Sequence, residues 1–171
     1  MIFLNIGSNL ESDYGNRFEN IYKCLKLLKK KSIKIIKISS FYETPSYPDK
    51  NFPKFINLGV LVVYKEKVED LLIDILFIEN EMGRKRTQRN EPRIIDIDII
   101  DFNKETLVSE NLIIPHKSIK IRNFVLYPLQ EIDPEWSHPI TGEKVDKLIR
   151  NLDYKMRNEI TRIKESDIIN L

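Results

Sequence analysis

Two spacings of hydrophobic residues divide the first hundred positions into strands and helices. Apolar residues spaced three and four apart over residues 15–30, and again from Val68 towards Gly83, predict two amphipathic helices. Four other segments are nearly continuously apolar or rich in β-branched residues, which favours strands. These predicted strands are residues 1–6, 32–42, 55–64 and 94–102.

The resulting order, β-α-β-β-α-β, predicts an α+β fold with a ferredoxin-like core. In this fold, both helices cover one face of an antiparallel sheet. Beyond residue 103 we expect short strands, an apolar stretch at residues 124–129 and one or two helices after Thr141. A length of 171 residues suits one domain, with a core over residues 2–150 and a C-terminal helical extension over residues 151–171 packed on it.

Composition excludes several classes of protein. The hydrophobic fraction of 42% is enough for a core, and no apolar run approaches the roughly 20 residues that a membrane span needs. Residues 1–8 lack the basic start of a secretory signal, so we expect a cytoplasmic protein without a membrane partner. The single Cys24 and the histidines His116 and His138 have no zinc-ligand spacing. No large apolar patch calls for a second subunit, so we expect a monomer.

The near-neutral net charge of +2 conceals a cationic loop. Lysines outnumber arginines 19 to 9, yet four of the arginines lie in residues 84–93, where five cationic residues face one glutamate. Guanidinium groups bind phosphate oxygens bidentately, so this loop indicates a phosphate ligand. The alternative is a solvated, charged surface loop.

Directly after this loop, strand periodicity places Asp96 and Asp98 on one face of an otherwise apolar strand, with Asp101 expected on the opposite face near the strand's end. Two such carboxylates require a cationic partner. One candidate is Mg²⁺, which accepts hard carboxylate oxygens and completes its shell with waters and phosphates. The other is a nearby arginine for each aspartate.

Arginines and Mg²⁺ around a polyphosphate are typical of phosphoryl transfer. The chain contains no GxxxxGK[ST] motif, which excludes a P-loop kinase.

Several ordered motifs resemble those of the 6-hydroxymethyl-7,8-dihydropterin pyrophosphokinases, a family of the folate pathway. The resemblance covers about residues 2–150. Its motifs are IGSN at 6–9, SSFYETP at 39–45, FIN at 55–57, PRIIDIDI at 92–99, IPH at 114–116 and RNFVLYPLQEIDP at 122–134.

This resemblance implies a single pyrophosphokinase domain that transfers pyrophosphate from ATP to the pterin hydroxymethyl group and releases AMP. It implies that Asp96 and Asp98 hold two Mg²⁺ ions and that Arg84 and Arg93 are catalytic. The implied nucleotide-binding residues are Glu79, Arg86, Arg89, His116 and Arg122. The implied pterin-binding residues are Thr44, Pro45, Phe55, Asn57 and Phe124. Without the resemblance, Phe55 and Phe124 would be read as core residues and Glu79 as a solvent-facing glutamate.

The chain also departs from the family. Glu91 replaces a usual glycine, which adds negative charge near the phosphates, and Asn90 replaces the tryptophan of some members. Lys117 and Asn111 stand where some relatives have an aromatic residue and an arginine. The loops 8–14 and 44–53, together with the arginine loop, are expected to be mobile and to close over bound substrates.

Two other classes of function share some of these features. The same element order builds RNA-binding modules, but the strands lack the paired aromatic residues that stack bases, so we expect no nucleic-acid partner. A small-molecule-binding regulatory domain without catalysis is the second alternative.

Overall fold

The computed structural model describes residues 1–84 and 91–163. Its first six elements confirm the predicted β-α-β-β-α-β order. They are β1 (Ile2–Ser8), α1 (Arg17–Lys30), β2 (Lys34–Thr44), β3 (Phe55–Val63), α2 (Val68–Glu81) and β4 (Asp96–Phe102). They are followed by β5 (Leu107–Val108), β6 (Ile113–Ile114), a 3-10 helix (Ile119–Ile121), α3 (Asn123–Ile132), α4 (Val145–Asn151), α5 (Tyr154–Asn158) and β7 (Thr161–Arg162).

The main sheet has the strand order β4-β1-β3-β2-β7, and all of its pairs are antiparallel. Alternate side chains of β1 enter different cores: Leu4 and Ile6 pack with α1 and α2, whereas Phe3 packs with α3. Both predicted helices therefore cover one face of the sheet, as the pattern indicated. Asn16 caps the first of them by accepting hydrogen bonds from the backbone N–H groups of Phe18 and Glu19.

The second face of the sheet carries α3 and α4, which enclose a separate core around Trp136. Helix α3 contacts the sheet closely at Gly59, where a Cβ atom would lie 2.7 Å from both Phe3 Cζ and Pro128 Cβ. The apolar stretch at residues 124–129 thus forms a helix that lies directly on the sheet.

The described part of the predicted C-terminal helical extension reaches residue 163 and is only partly helical. It contains the five-residue helix α5 and the short strand β7. β7 adds to the edge of the sheet by pairing Arg162 with Tyr42 of β2. This pairing provides hydrogen-bond partners for backbone groups of β2 that would otherwise be unpaired at the sheet edge.

A β-bulge in β4 corrects the prediction for Asp101. The register pairs Leu4 with Ile99 but Phe3 with Asp101, so Ile100 is the extra residue. The bulge shifts the alternation of side chains, and Asp101 lies on the same face as Asp98. There its buried carboxylate accepts a hydrogen bond of 2.6 Å from Trp136 Nε1. The expectation that Asp101 points to the other face is therefore wrong.

None of the helices within residues 1–84 and 91–163 is long and apolar enough to cross a lipid bilayer.

Candidate functional site

The strand pair β1–β4 places Asp96 and Asp98 on the α3 face of the sheet. In the register, Asp96 lies opposite Gly7, and Asp98 lies opposite Asn5. The side chains of Asp96 and Asp98 are 19% and 25% exposed, so both carboxylates reach the surface of the cleft beside this face. This confirms that the two aspartates share a face.

Within residues 1–84 and 91–163, three arginines pair with these two carboxylates. Arg84 Nη1 donates to Asp96 Oδ1 at 2.5 Å, and Arg93 Nη2 donates to Asp96 Oδ2 at 2.6 Å. Arg122, which directly precedes α3, donates from Nη1 to Asp98 Oδ2 at 2.6 Å. The structure therefore shows the arginine pairing that the sequence left as one of two alternatives, with both predicted catalytic arginines on Asp96.

Glu79 is buried behind Arg84 and is 1% exposed. Its Oε1 accepts a hydrogen bond from Arg84 Nη1 and another, of 2.8 Å, from the backbone N–H of Ile97 on β4. Because Glu79 joins α2 to β4 and holds Arg84 from behind, it supports the site through Arg84. The reading of Glu79 as a solvent-facing residue is wrong.

The two aspartates have opposite pKa shifts. Burial tends to raise the pKa of Asp96, but the positive charges of Arg93 and Arg84 outweigh it, so the pKa lies below its usual value. For Asp98, burial and the negative charge of Asp96 raise the pKa to about 6, against the opposing charge of Arg122. The positive charge of Arg122 therefore compensates Asp98 less fully than Arg93 and Arg84 compensate Asp96, and a cation added beside Asp98 would favour its ionised form.

His116 lies on the wall of the same cleft and is neutral near pH 7. Burial, followed by the positive charges of Arg122 and Lys117, lowers its pKa to about 4. Its Nδ1 accepts a hydrogen bond of 3.1 Å from the backbone N–H of Ser118. The proton of the neutral ring therefore lies on Nε2, which makes that atom a hydrogen-bond donor.

The cleft has a volume of about 640 Å³ and combines a charged floor with an apolar wall. The apolar wall includes Leu72, Leu76, Leu112 and Ile113. Glu91, Asn111 and Lys117, the described positions at which the chain departs from the family, also line it. A ligand with a flat apolar part and several anionic groups fits this lining.

Beside the aspartates, on the same face, lie the residues expected to bind a pterin. Asn57 is buried on β3 opposite Gly7, and its Nδ2 donates to Thr44 Oγ1 at 3.0 Å. Phe55 and Phe124 are both partly buried, and a guanidinium lies over each ring: Arg93 is 5.0 Å from the Phe55 centroid, and Arg122 is 5.3 Å from the Phe124 centroid.

Pro45 directly follows Thr44 at the end of β2 and is partly buried. Neither phenylalanine is fully buried and each lies under a site arginine, but Phe124 also packs against the second core.

Asn9 belongs to the IGSN motif, but no role at the site was predicted for it. In the structure, Asn9 Oδ1 accepts a hydrogen bond of 2.6 Å from the backbone N–H of Arg93. Its Nδ2 donates to Ser46 Oγ at 3.2 Å and to the Pro53 carbonyl at 3.1 Å. Asn9 therefore ties the 44–53 loop to Arg93. The available signal was its place in the IGSN motif, directly after a buried strand.

Arg86, Arg89 and Asn90 lie outside the described residues, so their predicted roles in nucleotide binding and in the departure from the family stay predictions.

Comparisons with known proteins agree with one another. Residues 3–134 match the family model described as 7,8-dihydro-6-hydroxymethylpterin-pyrophosphokinase (HPPK). A 2-amino-4-hydroxy-6-hydroxymethyldihydropteridine pyrophosphokinase of Aquifex aeolicus is 34% identical over 139 residues, which are 81% of this chain and 84% of that protein. The folic acid synthesis protein fol1 of Pneumocystis carinii is 37% identical over 82% of this chain and 18% of its own length.

Among solved structures, wild-type Plasmodium falciparum HPPK-DHPS superposes with a TM-score of 0.70 over 95% of this chain and 48% of that chain. Its sequence identity is 20%, so this likeness supports the fold alone. The chain spans about a fifth of the first fungal and slime-mould relatives, at 18%, 22% and 20% of their lengths.

Proposed function

Because the chain belongs to the 7,8-dihydro-6-hydroxymethylpterin-pyrophosphokinase family, we propose that it transfers pyrophosphate from ATP to 6-hydroxymethyl-7,8-dihydropterin in folate biosynthesis. The observation that carries this proposal is the position of Arg93 and Arg122. Each of them joins a carboxylate of the aspartate pair to an aromatic ring of the neighbouring pocket. A site built this way can hold a polyphosphate directly beside a flat heterocycle.

In the proposed reaction, the hydroxymethyl oxygen of the pterin attacks the β-phosphorus of ATP and gives up its proton. The bond between the β-phosphorus and the oxygen bridging to the α-phosphorus breaks, and AMP leaves. Such a transfer depends on alignment and on neutralising negative charge more than on covalent chemistry by the protein.

Arg84 and Arg93 could exchange the carboxylate that they now bind for the phosphates of ATP. In the described geometry, Arg84 and Arg93 donate to Asp96, and incoming phosphate oxygens would take the place of that carboxylate. Glu79 keeps Arg84 oriented during the exchange, since it holds the same guanidinium from the buried side. Arg122 and the Nε2–H of His116 donate to the polyphosphate from the opposite wall, and Arg86 and Arg89 are proposed to add to ATP binding.

The aspartate pair fits Mg²⁺. Its carboxylates lie at the cleft surface, and the residues described contain no group of three or more metal-binding side chains. Waters and phosphate oxygens would therefore complete the coordination, as Mg²⁺ prefers. We propose two Mg²⁺ ions held by Asp96 and Asp98. When bound, they would neutralise and polarise the ATP phosphates.

The pterin is proposed to lie against the aromatic faces of Phe55 and Phe124, with its amide edge towards Asn57. An asparagine suits this edge because it both donates and accepts hydrogen bonds. Thr44 holds Asn57 in place through the bond between their side chains, and Pro45 would close the pocket beside Thr44.

An RNA-binding module is the less suitable function for this face. Asp96 and Asp98 lie on the edge strand β4, and their charges would repel a phosphate backbone bound across this face. A regulatory domain that binds the same ligands without catalysis would show binding but no product.

The experiment that tests the proposal is to incubate the chain with Mg²⁺, ATP and 6-hydroxymethyl-7,8-dihydropterin and to measure AMP. We expect AMP in step with pterin diphosphate, and a loss of rate on the order of 10²–10³-fold in Asp96→Asn and in Asp98→Asn. Asp146→Asn is the matched control, because Asp146 pairs with Arg150 on the exposed surface of α4. ADP as product, or binding of both ligands without turnover, would contradict the proposal.

A further inference from the structure

The C-terminal segment, defined here as residues 153–163, contacts the elements that carry the pterin pocket. Ile163 donates its backbone N–H to the Phe41 carbonyl on β2 at 2.8 Å. On α3, Arg162 Nη2 donates to Glu131 Oε1 at 3.2 Å. The segment therefore joins the two elements that end at Thr44 and begin next to Phe124.

The most buried of these links runs through Asn123, the first residue of α3. Asn123 is 5% exposed, and its Nδ2 donates to the backbone carbonyl of Met156 at 2.6 Å. Its Oδ1 accepts a hydrogen bond of 2.7 Å from the backbone N–H of Phe124. That N–H belongs to the first turn of the helix and has no partner within it. One amide group thus connects the C-terminal segment to the backbone of Phe124.

The residues on either side of Asn123, Arg122 and Phe124, both belong to the candidate site. Arg122, on one side, pairs with Asp98, and the ring of Phe124, on the other, lies under the Arg122 guanidinium. A shift of the Asn123 backbone would therefore move the aromatic wall relative to the aspartate pair.

We propose that Asn123 is a positioning residue that transmits the placement of the C-terminal segment to Phe124, so that this segment sets the affinity for the pterin. The inference rests on the proposed function, because it assigns Phe124 to the pterin pocket. The segment is ordered by Asp153, whose Oδ1 accepts a hydrogen bond of 2.8 Å from the Met156 backbone N–H and caps α5. Asp153 therefore binds the backbone N–H of Met156, and Asn123 binds the backbone carbonyl of the same residue.

The first test compares Asn123→Asp with Asn123→Ala. Aspartate keeps the acceptor for the Phe124 N–H and suits a helix N-terminus, but it loses the donor to Met156. We expect the Kd of the pterin, measured by calorimetry with Mg²⁺ and a non-hydrolysable ATP analogue, to rise about fivefold in Asn123→Asp and further in Asn123→Ala. The Kd of the ATP analogue alone is expected to stay within about twofold. Asn151→Asp, at the exposed end of α4 and outside the C-terminal segment, is the matched control.

The second test asks whether the effect passes through the C-terminal segment. Asp153→Ala loosens α5 without touching α3, so its effect on pterin Kd should overlap with that of Asn123→Asp in the double variant. Amide exchange of residues 154–158 should also become faster in Asn123→Asp. Additive effects of the two substitutions on the pterin Kd would overturn the inference. It would also be overturned if Asn123→Asp had the wild-type pterin Kd while Asn123→Ala bound the pterin more weakly, because Asn123 would then only stabilise the start of α3.

Failure of the proposed function gives a different result. In that case the wild-type chain itself would bind no pterin or form no AMP. A wild-type chain that binds pterin and forms AMP, together with an unaffected Asn123→Asp variant, would reject the positioning role alone.

Discussion

The arginine and aspartate side chains at the centre of the site balance each other before any ligand binds. Asp96 receives two guanidinium groups and Asp98 one, while Glu79 takes up part of the charge of Arg84. A further carboxylate on the wall of the cleft would repel an incoming phosphate. Glu91 is such a charge, since it lines the cleft two residues before Arg93.

Replacing Glu91 by glycine, the residue usual in the family, is expected to lower the Kd of ATP about fivefold. The reason is the removal of a like charge near the phosphates, at an effective dielectric constant typical of partly exposed sites. Calorimetric titration with an ATP analogue and Mg²⁺ measures the change. Glu91→Gln separates charge from backbone freedom, because it removes the charge and keeps the side chain. An unchanged or weaker nucleotide Kd in Glu91→Gly would contradict the prediction.

The aspartates and arginines of the site could be predicted from the sequence pattern itself. Among its neutral polar residues, Thr44 and Asn57 were predicted only through the family resemblance, and Asn9 and Asn123 were not predicted. Asp96, Asp98 and the arginines stand out because charge on an apolar strand or in a cluster needs a partner. Asn9 and Asn123 do not stand out, since an asparagine beside a turn or at a helix start has an ordinary local explanation. Their roles depend on the Arg93 and Met156 backbones, which are distant in sequence.

At the scale of the elements, Asn9 joins two loops that flank the site. It bonds the 44–53 loop at Ser46 and Pro53 and the chain at Arg93. A ligand that draws Arg93 towards phosphates would therefore also act on the 44–53 loop, which gives a physical basis for closure of these segments together.

We expect amide hydrogen exchange in the segments 8–14 and 44–53 to slow when an ATP analogue, Mg²⁺ and the pterin are all present. Closure would exclude water from these backbones and order them. Exchange measured by mass spectrometry, with and without the ligands, tests this, and α1 provides an internal reference whose rates should not change. Equal exchange rates in both loops under the two conditions would rule out closure.

The longer elements were predictable and the short ones were not. The helices and four strands of the core follow from hydrophobic spacing, but β5, β6 and β7 have only two residues each. β5 and β6 pair with each other, and β7 depends on pairing with β2, far along the chain. The bulge at Ile100 likewise cannot be recognised in the isoleucine-rich sequence of β4, yet it determines the face of the sheet on which Asp101 lies. Periodicity predicts that side chains alternate between the two faces of a strand, but it does not predict the position of a bulge that interrupts this alternation.

At the scale of the whole molecule, a single sheet is shared by two cores. The first core lies under α1 and α2, and the second lies under α3 and α4. Strands β1 and β4 contribute side chains to both, as Leu4 and Phe3 show on adjacent positions. The loss of either layer would expose the apolar face of the same strands, so the two cores should be stable only together.

The chain carries a natural probe in each core. Its one cysteine, Cys24, is fully buried in the first, and its one tryptophan, Trp136, is 1% exposed in the second. Burial raises the pKa of the Cys24 thiol, and the negative charge of Glu79 raises it further, so this thiol is unreactive while the first core is intact.

In urea we therefore expect tryptophan fluorescence and pulsed thiol labelling to report the same unfolding midpoint, within about 0.2 M. The physical reason is that α3 packs directly on the sheet at Gly59 and Phe3, so that loss of this layer would expose apolar side chains of strands that also form the first core. The buried Asp101 carboxylate would also lose its indole donor at that point, which adds a desolvation cost to any state with one layer only. A fluorescence transition at lower urea than the labelling transition would show that the second layer unfolds alone, and would contradict a shared, cooperative core.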